Sequence, residues 1–114
     1  MAATYDFQMD QGASWVYNLG IRDQDDNPVD LTGASVVMQA RTTLRSPIPL
    51  FSVSTDTGEI TLDPSEGLVS IAIPPAITAE VRQSGLYSIV ITYSSGEVER
   101  LLEGKLILQP EIVR

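Results

Sequence analysis

Large apolar residues recur at every second position through most of the chain. The clearest stretch is 14–22, where Trp15, Tyr17, Leu19 and Ile21 share one phase. An extended strand turns successive side chains to opposite sides, so this alternation predicts a β-strand with one buried face. The same period runs through Tyr5, Phe7 and Met9, through Val36, Met38 and Ala40, through Val69, Ile71 and Ile73, and through Tyr87, Ile89, Ile91 and Tyr93. Shorter runs at 50–54, 59–62, 98–102 and 105–109 are further strand candidates, and Gly104 between the last two predicts a bulge.

Turn residues punctuate these runs: Asp25-Asp26-Asn27-Pro28, Asp56-Thr57-Gly58, Asp63-Pro64-Ser65-Glu66-Gly67 and Ser94-Ser95-Gly96. Only 75–82 reads as helical; Pro75 suits a first turn, and the segment predicts one turn or two crossing between sheets. The expectation is an all-β, immunoglobulin-like antiparallel sandwich of about seven to nine strands with one short helical crossover, a single domain over residues 1–114. Ser84-Gly85-Leu86-Tyr87 opens a long strand directly after that crossover. Such sandwiches place there a tyrosine whose hydroxyl bonds back to the preceding corner, and Tyr87 is the candidate.

Size supports one core. For 12.4 kDa, area scaling gives roughly two-thirds of the extended chain's surface buried on folding, enough without staples. No staple is available, because the 114 residues include no cysteine; a disulfide framework, a thiolate zinc site and a cysteine nucleophile are excluded. The absence of histidine removes the usual general base and the commonest metal ligand. Fifteen acidic and seven basic residues leave a net charge of −8, which repels phosphate backbones, so nucleic acid is not an expected partner. The start of the chain lacks the basic and apolar regions of an export signal, and no run approaches the ~20 apolar residues of a membrane helix. A soluble protein made in the cytoplasm, with no membrane partner, is expected.

Candidate chemistry is sparse. Asp23, Asp25, Asp26 and Asn27 form the densest oxygen cluster, but the helix-loop-helix calcium pattern needs a glycine and a terminal glutamate where Pro28 and Val29 follow. A solvated hairpin loop whose Asp and Asn side chains bond their own backbone is the expectation, with no bound metal. Asp25 with Asp26, and Glu97 with Glu99, lie in polar settings that do not separate their pKa values for acid–base work. The serines have no histidine or cysteine partner, and Lys105, the only lysine, stands in no Ser-x-x-Lys motif, so no catalytic set and no cofactor are expected. Trp15, Tyr17 and Tyr93 could form a sugar platform, but each falls on the inward phase of its strand and is expected in the core.

Two segments suggest contact surfaces. In 40–50, Arg41 and Arg45 stand beside Leu44, Ile48, Pro47 and Pro49, which suits a sheet edge or a sheet-crossing loop. At the chain end, Ile112 and Val113 follow Pro110, as a docking arm or as continuation of the last strand.

The order Phe7-x-x-x-Gln11-Gly12-Ala13-Ser14-Trp15, then Asp26-Asn27-Pro28-Val29-Asp30-Leu31-Thr32-Gly33, Ser84-Gly85-Leu86-Tyr87, and 96–104 (Gly-Glu-Val-Glu-Arg-Leu-Leu-Glu-Gly) resembles small tailed-bacteriophage virion proteins. It is similar to the β-sandwich family that includes the siphophage tail-fibre collar protein. The resemblance implies a non-enzymatic structural subunit of the tail, collar or baseplate region, assembled in the host cytoplasm with other virion proteins. Homo-oligomerisation, with a ring as one form, would bring the acidic loop Asp23, Asp25 and Asp26 against Arg41 and Arg45 of the next subunit. The alternative function is a carbohydrate- or host-surface-binding module on a similar sandwich.

Overall fold

A computed structural model describes residues 3–43 and 45–109. Among these residues nine strands and one helical turn follow in the order β1 (Ala3–Thr4), β2 (Phe7–Asp10), β3 (Trp15–Gly20), β4 (Ser35–Arg41), β5 (Phe51–Ser54), β6 (Ile60–Asp63), β7 (Leu68–Ile73), α1 (Pro75–Thr78), β8 (Gly85–Thr92) and β9 (Val98–Gln109). One sheet has the order β1-β9-β8-β4-β5, with β2 also on β9; the other has the order β3-β7-β6. The expected β-sandwich is the fold, and α1 is its helical crossover, carrying the chain from β7 in one sheet to β8 in the other.

Alternation decides what is buried. Val36, Met38 and Ala40 of β4, Val69, Ile71 and Ile73 of β7, and Tyr87, Ile89 and Ile91 of β8 all lie in one core shared by the two sheets. Tyr5 departs from its predicted phase: it falls in the gap between β1 and β2 and is 54% exposed, while Phe7 and Met9 of β2 are buried.

The sheets are antiparallel except at the N-terminal strands, which run parallel to β9: Ala3 sits opposite Leu102, and Phe7 opposite Leu106. Gly104 lies opposite the gap at Tyr5 and Asp6, and is a site of close approach, not a bulge. A β-carbon there would collide with the Tyr5 carbonyl oxygen. The Lys105 amide instead donates to Asp6 Oδ1 at 3.0 Å, and the Tyr5 amide donates to the Glu103 carbonyl at 2.9 Å. The irregularity sits three residues earlier, where Ile89 pairs with Leu102 but Val90 pairs with Arg100, leaving Leu101 as the extra residue. β9 is therefore one continuous strand through both predicted runs. Gly85 is constrained in the same way as Gly104, since a β-carbon would strike the Arg41 carbonyl.

Phe7 joins the layers. Its ring stacks on Tyr87 of its own sheet at 4.7 Å and meets Trp15 and Tyr17 of β3 edge-on at 4.9 and 4.8 Å. Truncating so central a ring leaves a cavity as well as losing its burial, so Phe7→Ala should lower unfolding free energy by about 3–5 kcal/mol in chemical denaturation. Gly104→Ala should cost about 1–3 kcal/mol by forcing the N-terminal strand off β9, read by the same titration.

Candidate functional site

The residues singled out from the sequence fall at two opposite ends of the sandwich. The acidic loop precedes β4 and packs at the end where β4 begins: the Ile21 amide bonds the Gly67 carbonyl, and the Leu31 amide bonds the Pro64 carbonyl. Asp23 Oδ1 accepts the amides of Asp25 and Asn27 at 2.9 and 3.0 Å, and the Asp23 amide donates to the Asn27 carbonyl. This is the self-bonded hairpin loop read from the sequence. Asp26 takes a positive φ of 63° and lies 3.8 Å from Arg22 in an exposed ion pair. Asp63, Glu66 and Glu97 belong to turns at the same end, where Ser35 of β4 faces Thr92 of β8. Asp30 lies there too; its carboxyl is held below the usual range, first by the Thr32 hydroxyl at 2.6 Å and then by the Thr32 amide. Among the described residues no group of three or more acidic side chains converges to hold a metal ion.

Arg41 stands at the other end of β4, about 20 Å along a strand of this length. Segment 42–50 is neither a sheet edge nor a crossing: it joins β4 to β5, neighbours in one sheet, and the Leu50 amide returns to the Ala40 carbonyl. Arg41 braces it from within, donating through Nη1 to the Ser46 carbonyl at 2.7 Å and through Nη2 to Gln39 Oε1 at 3.1 Å. Arg45 is exposed, as is Ile48, at 75%. Leu44, Ile112 and Val113 lie outside the described residues. Arg82 and Lys105 lie near this end, in the loop before β8 and opposite Leu86 on β9, in company with Glu80 of the same loop and with Asp6, whose carboxylate takes the Lys105 amide. Sequence reading found the turns carrying the extra acids but had no means of placing them together, because strand order decides which turns share an end.

Tyr87 serves a different purpose from the expected corner. Its ring is buried and its hydroxyl donates to the Tyr5 carbonyl on the N-terminal segment, across the sheet, instead of to the corner before β8. The reason is the parallel N-terminal strand on β9, which brings that carbonyl over the ring. Desolvation raises the phenol far above its ordinary value of 10.0, with Tyr17 and Asp6 adding to the shift.

The three proposed platform aromatics do not form one surface. Trp15 and Tyr17 stack at 6.1 Å in the seam between β2 and β3, half-buried, with Tyr5 stacked beyond Tyr17 at 6.5 Å. The Trp15 indole donates to the Gln8 carbonyl at 3.0 Å. A groove of about 490 Å³ runs along this seam, lined by Tyr5, Phe7, Trp15, Val16, Tyr17 and Ile107 together with Asp6 and Gln8. Tyr93 lies apart at the acidic end, its hydroxyl 3.5 Å from Glu99; burial raises its pKa first, and the charges of Glu99 and Glu97 add to it. On the outer face of the larger sheet, a second hollow of about 310 Å³ includes Arg41 and Arg100, but Arg100 is engaged by Glu103 at 3.3 Å and Arg41 by the loop.

Tyr87→Phe should lower stability near neutrality by about 0.5–1.5 kcal/mol, the net worth of one hydrogen bond. The same phenol predicts alkaline sensitivity. Above about pH 10 the unfolded chain ionises its tyrosines while the folded one holds Tyr87 and Tyr93 protonated, so stability is complete below that pH and falls as pH rises through it. Tyr87→Phe should flatten this fall in denaturation curves measured between pH 8 and about pH 12.

Among the described residues no helix is long and apolar enough to cross a membrane. No protein-family model matches the chain, and no curated protein matches it.

Proposed function

We propose that the chain is a non-enzymatic structural subunit of a tailed-bacteriophage virion, in the tail, collar or baseplate region, working by contact with copies of itself and with other virion proteins. The observation that carries this reading is that the acidic loop before β4 and the arginines at and beyond its far end, Arg41 and Arg45, lie at opposite ends of the sandwich. Asp23, Asp25 and Asp26 stand at one end and the exposed Arg45 at the other, beside Arg41, which keeps its charge there while bracing the loop, so head-to-tail stacking sets these opposite charges face to face. A heterologous contact of this kind repeats into a ring or a stack, which is what a virion component requires. The resemblance described above supplies the biological setting.

The carbohydrate-binding alternative is less well supported. A sugar platform needs free ring faces, and here Trp15 and Tyr17 stack on each other and each packs against Phe7 at a steep angle.

Light scattering tests the reading. The wild-type chain should show a mass above 12.4 kDa that falls as salt is raised past about 0.1 M, where screening shortens to ~10 Å. The double variant Arg41→Glu/Arg45→Glu should lose that salt-sensitive species. An unchanged mass in the variant would count against end-to-end contact.

A further inference from the structure

A sheet edge exposes a row of unpaired backbone groups, and proteins guard such edges with charge, proline, shortness or a cover. Among the described residues, three of the four sandwich edges are guarded. β5 is four residues long and is preceded by Pro47 and Pro49. β6 is four residues long and is bounded by Glu59 and Asp63. β2 carries Asp10 at its end, and the Trp15 indole occupies its Gln8 carbonyl.

β3 has none of these protections. It runs six residues, and from 11 to 21 the chain contains neither a charge nor a proline. Its bonding pattern follows from its neighbours. The Ala72 amide bonds Glu59 on the β6 side, and antiparallel pairing alternates, so Val69, Ile71 and Ile73 of β7 face β3. Their partners Leu19, Tyr17 and Trp15 are thereby satisfied. The amides and carbonyls of Val16, Asn18 and Gly20 point outward, and among the described residues no hydrogen bond takes them. The side chains report the same open flank: Trp15, Tyr17 and Leu19 stay half-buried although they point at the core, and Val16 is 63% exposed.

We propose that β3 pairs antiparallel with β3 of a second copy of this chain, joining the two smaller sheets into one across a two-fold axis at Asn18. This register follows from which residues face outward. Val16 exchanges bonds with the partner's Gly20, Asn18 with the partner's Asn18, and Gly20 with the partner's Val16. On the inward face Tyr17 then lies against the partner's Leu19, and Trp15 against the partner's Ile21, covering the apolar flanks left half-exposed in the single chain. A second copy is the fitting occupant because 11–21 carries no charge, so two such strands meet without like-charge opposition, and the outward groups of Val16, Asn18 and Gly20 find the same groups on the copy in a register symmetric about Asn18. The contact rests on the register of β3 and is independent of the virion reading.

Salt separates the two contacts: end-to-end stacking weakens as salt rises, whereas pairing through an uncharged strand tightens as the general repulsion is screened. Sedimentation equilibrium on the Arg41→Glu/Arg45→Glu chain isolates the second. A dimer of twice the chain mass is expected, tightening several-fold between about 0.05 and 0.5 M salt. In that background Asn18→Lys sets like charges opposite each other and should weaken the dimer by about tenfold or more, as should Asn18→Asp. Asn18 is exposed, so circular dichroism should not change, and at a concentration low enough for both chains to be monomeric neither should the thermal midpoint. Mixing the Lys and Asp variants should restore the dimer, which a folding defect could not do. Amide exchange at Val16, Asn18 and Gly20 should slow with dimerisation. A chain still monomeric at about 1 mM, a dimer untouched by Asn18→Lys, or a dimer in which these amides exchange freely would each overturn the proposal.

Discussion

The sandwich depends on one ring being in contact with both sheets. Phe7 belongs to a four-residue strand that joins the larger sheet only through β9, yet its ring reaches Tyr87 on one side and Trp15 and Tyr17 on the other. Burying an aromatic side chain among other rings is among the larger favourable terms available to a small domain, and edge-to-face geometry adds to it. That cluster holds the N-terminal strand in place. Gly104 lets the backbone of Tyr5 approach β9, and the Tyr87 hydroxyl takes the carbonyl that the approach would leave unpaired. Aromatic packing, a missing side chain and one hydrogen bond thus act on the same turn of chain.

The same arrangement has a consequence for the sheet edges. By folding its indole onto Gln8, Trp15 occupies a carbonyl of β2, but among the described residues the outer flank of β3, which carries Trp15, has no strand beside it. An edge without charge or proline is a hazard in a freely diffusing protein and an asset in one built to assemble. In the groove at the β2–β3 seam Trp15 and Tyr17 stack on each other, and in the hollow on the outer face of the larger sheet Arg100 is paired with Glu103.

Much of the architecture was legible because a half-buried strand writes its period directly into the chain. Val36, Met38 and Ala40 could be assigned to the core by alternation alone, as could Val69, Ile71 and Ile73, and each is buried. Turn chemistry was equally direct: the Asp23 loop bonds its own backbone as its composition implies, and Pro75 opens α1. These are local properties, set by residues within a few positions of one another.

Where the sequence was silent, the missing information was non-local. Tyr87 and Gly104 announced themselves as special, but their partners lie at Tyr5, about a chain length away, and only the parallel docking of the first strand on the last brings them together. Segment 40–50 read as an edge because prolines avoid ladders, yet it joins two neighbouring strands, since the order of strands in a sheet is not encoded in any one of them. By itself the chain determined which residues point inward and where it turns, because those follow from side-chain period and backbone preference. The tertiary structure alone decided which turns share an end and which edge stays open, because both depend on how distant strands pair.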